Sequence, residues 1–173
     1  MQKIGYRILS CFFVGALVTP ALAADPGVGD AAPTFRLKTY ENKDFDLSQR
    51  KGQWTVLYFY PKSGTPGCTK QACAFRDNIK KVRDQGAEVY GISTDSVESQ
   101  AKFHKEHALN FVILADSDAK VTSAYGAKMP VVKVSKRWTF IVDPELKIRA
   151  IEKDVDPVLD ADRVAKTLAS LKK

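Results

Sequence analysis

Residues 60–76 read Tyr60-Pro-Lys-Ser-Gly-Thr-Pro-Gly-Cys-Thr-Lys-Gln-Ala-Cys-Ala-Phe-Arg76. The run that leads into them, Trp54-Thr-Val-Leu-Tyr-Phe-Tyr60, is apolar with β-branched and aromatic residues, the pattern of a buried strand. Pro61, Gly64 and the Pro66-Gly67 pair interrupt any regular structure, so 61–67 is a tight loop. From Cys68 to Gln85, apolar Ala72, Phe75, Ile79 and Val82 recur at helical spacing, and Gly86 is placed to end the helix. Cys68 thus falls at or near the first turn of a helix that starts where a central strand ends. Backbone N–H groups lack intrahelical partners there, and the helix dipole is positive, so a thiolate is favoured at that position.

Outward from this stretch, strands and helices alternate. Ala87–Ser93 is a second buried strand, and Asp95-Ser96 caps a helix running to about Leu109. Phe111–Ala115 is a short apolar strand, followed by a helix that begins at Asp116-Ser117-Asp118 and ends near Tyr125-Gly126. A basic loop spans 127–136. Trp138–Val142 and Ile148–Ile151 are strands across a turn at Asp143-Pro144-Glu145, and Pro157–Leu171 is a closing helix. On the N-terminal side, Phe35–Thr39 and Asp44–Leu47 alternate apolar and polar residues about Glu41-Asn42-Lys43 and read as a β-hairpin; 48–53 is a polar connector. The order predicts an α/β protein, a three-layer α/β/α sandwich with a mixed central sheet and an N-terminal β-hairpin, held in one domain over 24–173.

Composition agrees with one globular domain. The chain has 173 residues, 45% of them hydrophobic, and a formal net charge of +7. Its basic residues are dispersed and carry no recognisable nucleic-acid module, so no nucleic-acid partner is expected. Residues 1–23 have the organisation of a secretory signal peptide: Lys3 and Arg7, an apolar run from Ile8 to Val18, then Ala21-Leu22-Ala23 as an A-x-A cleavage pattern. Cleavage after Ala23 leaves an exported protein, periplasmic or secreted, with no stable membrane association. A rival reading, an uncleaved anchor, has an uncharged span of only 17 residues from Ile8 to Ala24, at the short end of what crosses a bilayer.

Of three cysteines, Cys11 lies in the leader, which leaves Cys68 and Cys73. They can be metal ligands, a structural disulfide or a redox pair. Zinc asks for about three or four protein ligands. The only histidines, His104 and His107, belong to another helix and read as surface residues, so no metal site is expected. For the disulfide, five residues on an ideal helix give about 7.5 Å of rise and about 140° of rotation, hence a Cα separation of roughly 8–9 Å. A disulfide needs about 7 Å or less. The two sulfurs can therefore bond only if the first turns unwind, which describes a switch and not a fixed crosslink. Cys68, at the helix start, is the better nucleophile. Cys73 lies beyond the reach of the dipole.

A favoured thiolate is not enough, because nucleophilicity falls along with basicity. The site must also hold an electrophile and stabilise the leaving group. Thr65, three residues before Cys68, offers a hydroxyl, and Arg137, just before the strand at 138–142, offers a cation.

At this point the residues resemble a known family. Pro61-x-x-x-Thr65-x-x-Cys68 is similar to the active-site signature of peroxiredoxins, and T-P-G-C-T-x-x-A-C-x-F-R-D, Thr65 to Asp77, resembles the peroxiredoxin Q or bacterioferritin-comigratory-protein subfamily. Gly29–Phe35, Tyr58–Pro61, Gly91–Ser96 and Arg137–Asp143 resemble further motifs of that family, whereas Lys128–Lys136 matches only loosely. The resemblance implies a thioredoxin-like fold and thiol-dependent reduction of hydrogen peroxide and alkyl hydroperoxides, with no cofactor. It implies Cys68 as peroxidatic cysteine, Cys73 as its resolving partner in a redox disulfide, Thr65 and Arg137 as groups that bind the peroxide oxygens and the thiolate, and Pro61 as a shield over the sulfur. The expected partner is a thioredoxin-like reductant, and the protein is expected to act as a monomer. Two alternatives stand beside this one. An exported thioredoxin-like thiol–disulfide oxidoreductase would carry C-x-x-C where this chain has C-x-x-x-x-C, and a redox-sensing or metal-binding module would consume no peroxide.

Overall fold

The structure is a computed structural model and describes residues 25–172, so the expected leader, Cys11 included, lies outside the described residues. Seven strands form one mixed sheet: β1 (Arg36–Thr39), β2 (Asp44–Asp46), β3 (Trp54–Phe59), β4 (Ala87–Ser93), β5 (Val112–Ala115), β6 (Trp138–Val142) and β7 (Ile148–Glu152). The helices are α1 (Pro66–Arg83), α2 (Val97–Glu106), α3 (Lys120–Ala124) and α4 (Asp160–Leu171). The spatial order is β2-β1-β5-β4-β3-β6-β7. β3, β4 and β5 are parallel, the N-terminal hairpin joins antiparallel to β5, and β6 runs antiparallel to β3. The α/β sandwich with a mixed sheet and an N-terminal hairpin is thus the observed architecture.

The period-two alternation of β3 sorts the core into two faces. Val56, Tyr58 and Tyr60 pack with α1, with Phe103 of α2 and with Ala161, Val164 and Leu168 of α4. Leu57 and Phe59 face the other way, onto Val121 of α3, Tyr125, Phe140 and Leu47. Phe75 of α1 stacks on Tyr58 with ring centroids 4.8 Å apart, and complete burial of such a side chain contributes roughly 1.5–3 kcal/mol. Gly91, opposite Tyr58 in β4, must be glycine because a Cβ there would lie 2.6 Å from the Tyr58 ring.

Several boundaries differ from those expected. The connector after β2 contains a 3-10 turn, Leu47–Arg50, started by Asp46, whose carboxylate accepts from Ser48 N at 2.8 Å, and locked by fully buried Leu47. α2 stops at Glu106, short of Leu109, because Ala108 turns into the left-handed region at φ 46°. α3 does not begin at Asp116–Asp118. The chain first turns through left-handed Ala119 (φ 60°), and Asp116 caps the later start by accepting from Thr122 N at 2.7 Å. α4 begins at Asp160, after a turn over 157–159, and not at Pro157. His104 and His107 are half-buried rather than free on the surface: His104 stacks on Tyr40 at 3.6 Å, and His107 packs edge-on against Phe103.

Candidate active site

Topology brings the candidate residues to one edge of the sheet. The carboxyl ends of the parallel strands β3, β4 and β5 share that edge, and ligand sites of open α/β sheets form there. Trp138, the first residue of antiparallel β6, pairs with Phe59, the last of β3. Arg137 therefore arrives beside the loop that leaves β3, although 69 residues separate it from Cys68.

The loop is fixed at several points. Tyr60 N donates to Ile92 O at 3.0 Å and extends the β3–β4 ladder by one residue. Pro61, half-buried and without an N–H, ends it. Ser63 N donates to Asp95 Oδ2 at 2.8 Å, and Ser93 Oγ donates to the same oxygen at 2.7 Å. The buried Tyr60 hydroxyl donates to Gln100 Oε1 of α2. Thr65, in extended backbone, is the N-cap of α1, and Pro66 takes the first helical position, where a missing N–H costs nothing. α1 thus starts two residues earlier than expected, and Cys68 is its third residue.

Cys68 is 1% exposed, so only a small group can reach its sulfur without movement of the loop. Arg137 Nη2 lies 3.4 Å from Cys68 Sγ and donates to it. Gly67 makes this approach possible: a Cβ at that residue would meet Arg137 Nη2 at 3.2 Å. Flanking residues hold the arginine's segment, since Lys136 and Lys153 lie over the Trp138 ring at 4.4 and 4.3 Å and Lys136 also donates to Gly126 O. The Thr65 hydroxyl donates to Lys62 O at 2.9 Å and not to the sulfur, which leaves its lone pairs free to accept a proton.

Cys73 is half-buried in the same unbroken helix, and both thiols are free. The helix is pinned further along. Arg76 Nη1 donates to His107 O at 2.7 Å, and Asn110 Nδ2 donates to Arg76 O at 3.1 Å. Among the described residues, no group of three or more His, Cys, Asp or Glu side chains is placed to hold a metal ion.

The structure adds Gln71, which the sequence reading passed over. Its Oε1 accepts from Arg137 Nη1, and its Nε2 donates to Asp160 Oδ2 at 2.7 Å. The sequence carries only a positional sign of it, a polar residue three after Cys68 and four before Phe75 on the apolar side of the helix; the structure buries it fully.

The arrangement can do nucleophilic chemistry on a small electrophile. A nearly dry sulfur sits at a helix start, a guanidinium donates to it, and an accepting hydroxyl stands one turn earlier. A second thiol is near in sequence but out of reach while the helix is intact.

Comparison with known proteins points the same way. The AhpC/TSA family matches residues 28–151. A peroxiredoxin Q, chloroplastic, of Sedum lineare is 40% identical over 146 residues, which is 83% of this chain and 78% of that protein. The solved structure of peroxidoxin BcpB from Mycobacterium tuberculosis superposes with a TM-score of 0.80 at 32% identity, covering 86% of this chain and 99% of the other. The bacterioferritin comigratory protein of Xanthomonas campestris, solved in work on its alkyl peroxide reduction activity, gives a TM-score of 0.76 at 28% identity over 80% of this chain and 92% of its own.

Proposed function

The chain belongs to the AhpC/TSA family and is a thiol-dependent peroxidase of the peroxiredoxin Q/Bcp kind with a thioredoxin-like fold; on that premise we propose that Cys68 attacks the peroxide and Cys73 resolves the product. The observation that carries this assignment is the Arg137 guanidinium 3.4 Å from the Cys68 sulfur at the start of α1.

The thiolate of Cys68 attacks the distal oxygen of a hydroperoxide. An S–O bond forms, the O–O bond breaks, and the departing alkoxide or hydroxide takes a proton and leaves as alcohol or water. Arg137 stabilises the thiolate and then the charge that grows on oxygen. Thr65, its proton committed to Lys62 O, accepts from the peroxide O–H and so orients it. Pro61 and the loop keep bulk water off the sulfur. Cys68 is left as a sulfenic acid. Once the first turns of α1 open, the Cys73 thiolate attacks the Cys68 sulfur, hydroxide leaves as water, and a disulfide forms. A dithiol reductant, thioredoxin-like by chemistry, then supplies two electrons and two protons by thiol–disulfide exchange. The bond lies within one chain, so a monomer completes the cycle. Hydrogen peroxide and alkyl hydroperoxides are the proposed substrates, and alkyl peroxide reduction by the Xanthomonas relative supports the second class. Residues 1–23 are proposed as a leader removed after Ala23 on export to the periplasm or medium, on the strength of Ala21-Leu22-Ala23.

Cysteine substitution tests the assignment. Cys68→Ser abolishes peroxide consumption. Cys73→Ser allows one turnover, ends at a sulfenic acid on Cys68, and moves to the sulfinic acid in excess peroxide. Mass spectrometry after one equivalent of peroxide reads both, and the intact mass of protein recovered from the exporting cell lacks residues 1–23. A sulfenic acid on Cys73 in the Cys68→Ser variant reverses the roles, and a retained leader refutes cleavage after Ala23 and supports the uncleaved anchor.

A further inference from the structure

Behind Arg137 runs a chain of polar groups that the reaction, as written, does not use. Arg137 donates to Gln71 Oε1; Gln71 Nε2 donates to Asp160 Oδ2 at 2.7 Å; Thr139 Oγ1 donates to the same oxygen at 2.9 Å. Asp160 belongs to α4, is 1% exposed, and leaves its other oxygen, Oδ1, without a partner. A buried acceptor without a partner costs roughly 1–3 kcal/mol. A carboxyl kept only for stability has no reason to bear that cost.

The chemistry of the three groups explains the arrangement. A guanidinium can only donate, and an amide has one accepting and one donating end. The end that Gln71 shows to Arg137 is therefore decisive: Oε1 holds the guanidinium, and an NH₂ in the same place repels it. In a buried site nothing about the amide's shape selects the orientation, because the two ends have nearly the same size. Asp160 Oδ2 selects it, since that oxygen only accepts and Thr139 already directs a hydroxyl proton at it. We propose that Asp160 is a positioning residue for the peroxidase reaction, holding Gln71 in the one amide orientation that keeps Arg137 on the Cys68 sulfur. Burial pushes the Asp160 carboxyl above its ordinary range. A proton on Oδ1 still leaves Oδ2 an acceptor, so the orientation does not depend on the titration of this group.

The inference rests on the role proposed for Arg137, and its test separates the two. Asp160→Leu removes the acceptor. It is combined with Arg137→Met in a double-mutant cycle on the full chain, with the rate of Cys68 oxidation by hydrogen peroxide followed on the Cys68 peptide by mass spectrometry. If Asp160 acts only through Arg137, Asp160→Leu slows oxidation roughly tenfold in the otherwise native chain and less than about twofold beside Arg137→Met, a non-additivity that a general loosening of the fold does not produce. Asp160→Asn restores an acceptor and recovers part of the rate. A second readout needs no peroxide: the ultraviolet absorbance of the Cys68 thiolate at neutral pH, taken as the difference between each protein and its Cys68→Ser counterpart. It falls with Asp160→Leu in the native chain and not further beside Arg137→Met. Equal losses in both backgrounds, or no loss in either, overturn the proposal. If Asp160→Leu does not fold, Gln71→Leu cuts the same chain one link nearer the arginine and is read by the same cycle. A native chain that leaves peroxide untouched contradicts the peroxidase reading alone, and the thiolate difference then decides the role of Asp160.

Discussion

Arg137 is the residue on which the proposed site turns, because among the described residues it is the cation that donates to the sulfur. Its guanidinium joins two partners, Cys68 Sγ and Gln71 Oε1. Arg137→Met keeps the aliphatic stem and loses both donors. Loss of one group of this kind typically costs about 10²–10³ in rate, so Cys68 oxidation in stopped flow is expected to slow by that much. The protein still folds, somewhat less stably, because the buried Gln71 Oε1 is left without its donor. A rate near that of the native chain would make Arg137 a structural cation only. The candidate residues of one loop and helix start were legible in the sequence: Thr65, Cys68 and Cys73 by their spacing about the start of a helix, and Pro61 through the family motif that it begins. Arg137 was legible as a candidate by its place before a strand. Gln71 was passed over as one more polar residue on a helix, and Asp160 gave no local sign, since its importance comes from a contact with Gln71 across 89 positions.

The elements around the loop hold it more firmly than the sequence alone suggested. Strand β3, helix α2 and the loop 61–67 meet at Gln100, which is fully buried. Its Oε1 accepts from Tyr60 and, at 3.3 Å, from Ser63 Oγ; its Nε2 donates to Ser93 Oγ and Leu114 O at 2.8 and 2.9 Å. Burial pushes the Tyr60 hydroxyl well up, so it stays protonated and remains the donor. Tyr60→Phe leaves Gln100 with only the long contact to Ser63 on that oxygen. A loss of about 1–2 kcal/mol is expected, read as a lower denaturation midpoint at unchanged slope; an unchanged midpoint would mean that the loop is held without this bond. Strand existence was readable from apolar runs such as Trp54–Tyr60 and from the alternation in the N-terminal hairpin. Helix ends were less so, because they depend on single left-handed residues such as Ala108 and Ala119 that carry no glycine signature.

At the scale of the whole molecule, the reaction needs a fold that is rigid at the sheet and yielding at one helix start. β3 is covered on both faces and hydrogen-bonded on both edges. The first turns of α1 carry both cysteines, and the helix is pinned to the α2–β5 connection beyond them, at Arg76 and again at Arg83, whose Nη2 donates to Asn110 O at 3.1 Å. In the proposed mechanism, opening α1 as far as Arg76 brings the two sulfurs within bonding reach; it takes Ala72 and Phe75 out of the core and leaves β3 in place. It also breaks the Arg137–Gln71–Asp160 chain, so the guanidinium leaves the sulfur when its work on the peroxide is done. The central claim is that the helix must open for the disulfide to form, and amide hydrogen exchange on the chain before and after one equivalent of peroxide tests it most directly. The expected result is a Cys68–Cys73 disulfide with protection lost over residues 68–75 and retained in β3 and in α1 beyond Arg76. A disulfide form in which residues 68–75 keep their protection would contradict the account.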